Sequence, residues 1–208
     1  MILNLIKLFI FAFLIIKKIK IMKRTGLIIA ILVFTLNMNA QISFGAKTGL
    51  NISNITGDAT DGNEVKVGLA IGAVAEFKLS ESFAIQPEII YSSQGSDTKN
   101  SNVKLKMNYL NVPLMAKYYP TENLSLQLGP QVGFLVSAKV DNGKTSVKVD
   151  DNLKTIDLGL SFGVGYKLDF GLFFDARYNL GLSDINDYNT INENYNAVIN
   201  FSVGYFFN

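Results

Sequence analysis

The sequence has no cysteine, no histidine and no tryptophan, and only four prolines in 208 residues. Without cysteine there is neither a disulfide framework nor a residue to carry a lipid anchor after an export signal. Without histidine, Ser–His and Asp–His catalytic pairs are excluded. No segment beyond residue 40 shows helical periodicity, and no Gly-rich phosphate loop occurs. Charge is also sparse, and it is unevenly placed. The first forty residues hold six basic residues and no acidic one, leaving 13 Lys+Arg against 17 Asp+Glu in the rest, a net charge of −4. The basic character of the whole chain belongs to its first forty residues, and no basic patch for nucleic acid survives their removal.

Those residues read as a leader. Met22, Lys23 and Arg24 make a basic start, residues 27–36 are apolar, and Ala40 closes the stretch with a small side chain. Ten apolar residues fall short of the about 20 that a membrane-spanning helix needs, so 22–40 is expected to be a signal peptide cut after Ala40. Residues 1–21 hold a second apolar block and are expected to reflect a start assigned too early, the true one being Met22. The domain prediction is thus a leader at 1–40 and one barrel at 41–208.

Beyond the leader, one pattern repeats eight times. Apolar and small or polar residues alternate over 42–52, 65–79, 83–92, 110–118, 124–138, 156–168, 172–180 and 196–207. Period two is the strand signal. The connections alternate between long (53–64, 93–102, 139–152, 183–194) and short (80–82, 120–123, 169–170). That is an up-and-down meander with long loops at one end, the pattern of outer-membrane barrels. At 103–112 the apolar phase changes by one, from Val103, Leu105 and Met107 to Leu110 and Val112, which predicts a bulge near Asn108 and Tyr109 or a strand that leaves the membrane there. Pro87, Pro113 and Pro130 fall within strands; each lacks a ladder donor, so bulges or local breaks are expected there.

The two faces differ in a way that inverts the usual core. The polar face carries Gly45, Gly49, Gly68, Gly72, Gly129, Gly133, Gly159, Gly163, Gly165 and Gly204. A solvated face has no use for so many glycines, whereas the crowded interior of an eight-stranded barrel does. The same face carries charges of both signs: Lys47, Glu76, Glu88, Lys117, Asp157, Lys167, Asp175 and Arg177. Aromatic residues gather toward strand ends, at Phe83, Tyr91, Tyr118, Tyr166, Tyr178, Tyr205 and Phe207, as in interfacial girdles. The fold class expected is therefore all-β, an eight-stranded antiparallel up-and-down transmembrane β-barrel behind a hydrophobic leader. The apolar face meets lipid. The alternative is a soluble lipocalin-like ligand-binding barrel of the periplasm, with the apolar face inside.

An ordered series of stretches carries a family resemblance: GAKTGLNISNITGD (45–58), AEFKLSESFAIQPEIIYSSQG (75–95), NYLNVPLMAKYYP (108–120), LSLQLGPQVGFLVSAK (124–139), IDLGLSFGVGYKL (156–168) and DARYNLGLSDIND (175–187). In these the chain resembles the PorT-like outer-membrane β-barrel family of Gram-negative bacteria over nearly all of 41–208. The resemblance implies an eight-stranded outer-membrane barrel, with no enzymatic activity shared across the family; some members are linked to a secretion and gliding machinery. Barrel insertion signals usually end in an aromatic residue, whereas here Phe206 and Phe207 precede Asn208.

The residues expected to matter are a structural charge network filling the lumen: Lys47, Glu76, Glu88, Lys117, Asp157, Asp175 and Arg177. Arg177 is the only arginine beyond the leader, and its planar fork suits it to bridge two carboxylates as the hub. The alternative for the carboxylates is a lumenal catalytic or proton-conducting role. Acidic residues in the long connections (Asp58, Asp61, Asn63, Glu64; Asp141, Asp150, Asp151) lack the ligand spacing of a calcium loop and read as solvated. No cofactor, metal or catalytic residue is expected. The partners expected are outer-membrane lipid, the barrel-assembly machinery, and a protein met through 53–64, 139–152 and 183–194. The functional alternatives are a non-enzymatic structural, interaction or secretion-accessory barrel and a narrow ion or small-solute channel.

Overall fold

The computed structural model describes residues 41–58, 60, 62–99, 101–187 and 193–207; the leader expected at 1–40, Asp61 and the middle of the last long connection lie outside them. Eight long strands form the wall: β1 (Gln41–Gly57), β2 (Asn63–Lys78), β3 (Phe83–Thr98), β4 (Lys104–Tyr118), β5 (Leu124–Asp141), β7 (Ile156–Lys167), β8 (Leu172–Gly181) and β9 (Asn194–Phe207). A short β6 (Ser146–Lys148) and one 3-10 turn (Asp150–Asn152) occupy the connection between β5 and β7. All neighbouring pairs are antiparallel, β1 pairs with β9, and β4 with β5, so the sheet closes on itself. Closure leaves the wall without unpaired edges, which is what a strand structure in hydrocarbon requires.

Period-two alternation decides the faces. Along β5, Leu124, Leu126, Leu128 and Phe134 point out and are exposed, while Ser125 and Gln127 are buried inside. The same holds around the wall: Leu69, Ile71, Ile89, Phe162 and Phe201 lie outside, and Asn51, Gln86, Ser161 and Asn200 inside. An apolar exterior around a polar interior is the reverse of a lipocalin and removes the soluble alternative.

The short connections fold as tight turns. Gly171 closes the turn between β7 and β8 at φ +97°, donating its N–H to the carbonyl of Leu168 at 2.9 Å. Phe44, Phe83, Tyr118, Tyr166, Phe174, Tyr205 and Phe207 ring this end on the outside, with Phe83 on Tyr118 at 5.0 Å and Tyr205 near Phe207 at 6.0 Å. Of the other two aromatic residues expected in girdles, Tyr178 sits within the wall, whereas Tyr91 stands at the opposite edge of the band. Tyr178 packs on Phe162 within the wall at 5.4 Å. Tyr91 pairs with Leu110, the last outward apolar residue of β4. From Tyr118 to Leu110 is eight residues, about 21 Å of height for a tilted strand, which suits the about 25 Å apolar band of such barrels.

Strands β1 to β5 run 15 to 18 residues, more than the about 9–11 a bilayer crossing needs. Much of what reads as long loop (53–57, 93–98, 139–141) is therefore strand projecting beyond the band. The expected irregularity at Asn108 and Tyr109 is present, but the extra residue is Val136 on β5: Asn108 pairs with Ser137, and Tyr109 with Leu135. Strand β4 keeps its phase. Met107 and Tyr109 point inward and are fully buried, so the apparent phase change marks an apolar cluster inside the outer mouth. The prolines make the local breaks expected of them, without bulges. Pro87 interrupts the β2–β3 ladder, Pro113 the β3–β4 ladder and Pro130 the β4–β5 ladder, for two residue pairs each, and the register is unchanged on either side.

Leu128 stands near the middle of the outward apolar run of β5. Leu128→Arg is expected to cost about 2–4 kcal/mol of folding stability in lipid vesicles, and Ser137→Arg, beyond the band, about 0–1 kcal/mol. Equilibrium urea unfolding in vesicles measures both; equal costs would displace the band from this position.

Candidate functional site

The charged cluster grows out of β8. Alternation turns Phe173, Asp175 and Arg177 inward, one above another, and all three are buried. Facing them on β7 are Gly163 and Gly165. A Cβ on Gly163 would stand 2.8 Å from Arg177 Cγ; one on Gly165 would collide with Gln127 Nε2 and stand 2.6 Å from Asp175 Oδ1. The glycines hold open the volume that the polar side chains fill.

Arg177 makes a two-pronged pair with Glu88 across the lumen: Nη1 to Oε2 at 2.9 Å and Nη2 to Oε1 at 2.8 Å. Its Nη2 also reaches Asp175 Oδ2 at 3.1 Å, and its Nε donates to Gln127 Oε1 at 2.7 Å. Gln127 in turn donates to Asp175 Oδ1 at 2.8 Å. Lys47 Nζ lies 2.7 Å from Glu88 Oε2 and 3.6 Å from Asp175 Oδ2, without the alignment of a hydrogen bond. Charge-assisted, forked bonds of this kind are the strong ones.

A second group lies toward the short-turn end. Lys117 Nζ donates to Glu76 Oε2 at 2.7 Å and to Gln86 Oε1 at 3.0 Å. Tyr119 donates its hydroxyl to the same Glu76 oxygen, and Lys167 lies 3.4 Å from Glu76 Oε1. Gln86 joins the two groups by donating to Glu88 Oε1 at 2.5 Å. Six of the seven expected residues thus form one connected network, three cations against three carboxylates, each no more than 5 % exposed. Asp157 stands apart. It accepts from Asn196 Nδ2 at 2.8 Å and from Ser183 Oγ at 3.0 Å near the outer mouth.

Sequence reasoning misses Tyr119 and two apolar stoppers. At the short-turn end Phe173, Phe206 and Val74 are buried together, with Phe173 and Phe206 at 4.6 Å. At the outer mouth Ile55, Met107, Tyr109, Ala138 and Ile185 form a cluster, against which Leu153 packs. The signal that could have found them is parity: Ile55, Met107, Leu135, Phe173 and Phe206 all fall on the lumen phase of their strands. Between the stoppers a cavity of about 20 Å³ touches Lys47, Asn51 and Arg177, the size of one water.

The acidic connection residues do not converge. Asp141 pairs with Lys106 at 2.7 Å, and hydrogen bonds from Lys106 and from the Gly143 N–H hold its carboxyl below the ordinary range. Asp150 accepts the Ala138 N–H. Among the described residues no three potential ligands group as a metal site.

Arg177→Leu leaves Glu88 and Asp175 with one ion-pair partner, Lys47. The expected loss is about 3–5 kcal/mol of folding stability, read by urea unfolding in vesicles or by the temperature at which the folded band is lost on gels. Arg177→Lys, which keeps the charge but not the fork, is expected to recover only part of it. Unchanged unfolding would remove Arg177 from the centre of the network. Gly165→Ala, which pushes a methyl into Gln127 and Asp175, is expected to lower the same transition.

The closed antiparallel wall has counterparts among solved structures. The structure is similar to that of Neisserial surface protein A, at TM-score 0.58 and 14% identity, covering 80% of this chain and 99% of that one. It is also similar to Ail, the attachment invasion locus protein of Yersinia pestis, determined in complex with the heparin analogue sucrose octasulfate, at TM-score 0.50 and 15% identity, covering 80% and 99%. At such identities the likeness is one of fold. No curated protein matches the sequence. Residues 37–187 match the family described as outer membrane protein beta-barrel domain. That match runs from the edge of β1 to beyond β8, most of the wall that closes around the charge network, and the chain therefore belongs to the outer membrane protein beta-barrel domain family.

Proposed function

We propose that this outer-membrane barrel is non-enzymatic and acts through its outer rim and exterior, in a structural, interaction or secretion-accessory role. The observation that carries this reading is the filled lumen. Both mouths hold apolar stoppers, and every carboxylate of the central network is engaged by a cation. A general acid or base must reach its substrate; Glu76, Glu88 and Asp175 reach only their partners. A conducting path needs a wetted lumen, and the cavity at Lys47, Asn51 and Arg177 has the volume of one water. The rim, by contrast, is built outward on projecting strands.

The order of motifs from 45–58 to 175–187 supports placing the chain among PorT-like members of the family. The basic start at Met22 and the small residue at Ala40 support export through a signal peptide cleaved before Gln41, with insertion by the barrel-assembly machinery.

The test is planar-bilayer recording of the purified, refolded chain. The expected result is insertion without conductance steps. Steady single-channel steps that disappear when protein is omitted would overturn the reading in favour of the narrow channel. N-terminal sequencing of the mature protein is expected to begin at Gln41.

A further inference from the structure

The bulge at Val136 does more than absorb one residue. Before it, odd positions of β5 face the lumen, as Ser125 and Gln127 do; after it, Ala138 is buried opposite Met107, and the parity has switched. Lys139 is turned outward by that switch. It lands directly opposite Lys106 on β4, and Lys148 on β6 lies directly opposite Lys139. Three lysines thus stand side by side across three strands on the exterior. Like charges directly opposite each other destabilise a sheet. Of the three, Lys106 has a carboxylate partner, Asp141 at 2.7 Å; among the described residues Lys139 and Lys148 form no ion pair within 4.0 Å.

The height of the row is informative. On β4 the last outward apolar residue is Leu110, and on β5 it is Val136. Lys106 and Lys139 stand four and three residues beyond them, about 10 and 8 Å above the hydrocarbon for a tilted strand. Between lie Asn108 and Ser137, joined by a hydrogen bond of 3.0 Å. The headgroup layer extends about 5–8 Å beyond the acyl chains, within reach of a lysine side chain bent down from that height. Beside the row an outer groove of about 700 Å³ is lined at one side by Ser93, by Lys104 paired with Asp97 at 3.2 Å and by Lys106 paired with Asp141, and at the other by the exposed Val65 and Val67. Cations next to an apolar wall, at the rim of a bilayer, match an anionic amphiphile.

We propose that Lys106, Lys139 and Lys148 form a binding site for the phosphate of an outer-leaflet lipid headgroup, with Lys104 and the Val65–Val67 wall receiving the adjoining part of the same lipid. The site rests on the barrel spanning the outer membrane with its long connections outward, and it gives the outer surface a defined ligand. The lysines' mutual repulsion is relieved by the phosphate, and the bulge exists to place one of them. Each lysine near an anionic membrane surface strengthens attachment about fivefold.

The test uses the full barrel in a neutral detergent. Binding of bis-phosphorylated lipid A is compared with that of phosphatidylcholine and of inorganic phosphate, by native mass spectrometry. The wild-type barrel is expected to retain lipid A and neither control. The triple variant Lys106→Gln, Lys139→Gln, Lys148→Gln is expected to bind it tenfold or more weakly, whereas Lys154→Gln, a paired lysine off the row, changes nothing. The unfolding transition of each variant is recorded in phosphatidylcholine vesicles, where the triple variant is expected to be as stable as the wild type or more so. Equal lipid A binding by wild type and triple variant overturns the site. So does equal weakening by Lys154→Gln, which reduces the effect to net charge, or retention of inorganic phosphate alone, which removes the lipid. Failure to insert into vesicles at all would instead strike the membrane-spanning reading beneath it.

Discussion

The forked pair between Arg177 and Glu88 is the contact on which the interior depends. A barrel this narrow has no water-filled centre in which a charge can be screened, so each lumenal charge must be answered by another within reach. Arg177 answers two carboxylates and a glutamine from one side chain, and Glu88 in turn holds both Arg177 and Lys47. Through Gln86 the same network passes to Glu76 and Lys117. Buried ion pairs are weak evidence for net stability, because desolvation offsets much of their attraction. Their contribution here is different. They tie β1, β3, β5 and β8 to one another across the lumen, contacts that hydrogen bonds between neighbouring strands cannot make.

The apolar stoppers complete that arrangement. With hydrophobic side chains at both mouths, the charged centre is shielded from water on either side, and its electrostatic interactions are strengthened by the low dielectric around them. The glycines make room for it. Gly163 and Gly165 give up side chains, and with them strand propensity, so that Arg177, Gln127 and Asp175 fit. The lumen is therefore a small protein core of inverted polarity, charged at its centre and apolar at its ends, inside a wall whose outer face is apolar across the membrane band.

Much of this is legible in the sequence because the two faces of a strand differ by parity alone. Eight alternating segments, the short turns and the inward set of charges can be read from residue order. Three things cannot. Strand ends come out too short, because beyond the lipid the outward face becomes polar, as at Ser93, Asn108 and Lys106, and polar alternation looks like loop. The bulge is expected on β4, because Leu105 and Met107 mimic a phase change; the lumen is apolar at that height, so the periodicity misreports the phase. Parity groups Asp157 with the other carboxylates, but strand register places it at the outer mouth with Asn196, out of reach of Lys47 and Arg177. Parity assigns a face; height along the barrel comes only from pairing.

The strands are unequal in length, and this has a consequence for how the molecule meets its surroundings. From β1 to β5 the wall stands high, while β7 and β8 end after 12 and 10 residues. The protein therefore has a tall flank and a low flank, and turning it about the membrane normal changes the profile that a neighbour encounters. On the low side the described strands end near the height of the stopper; on the high side a sheet stands upright above the bilayer. Two such molecules side by side are distinguishable by heading, so crowding in the membrane plane becomes directional.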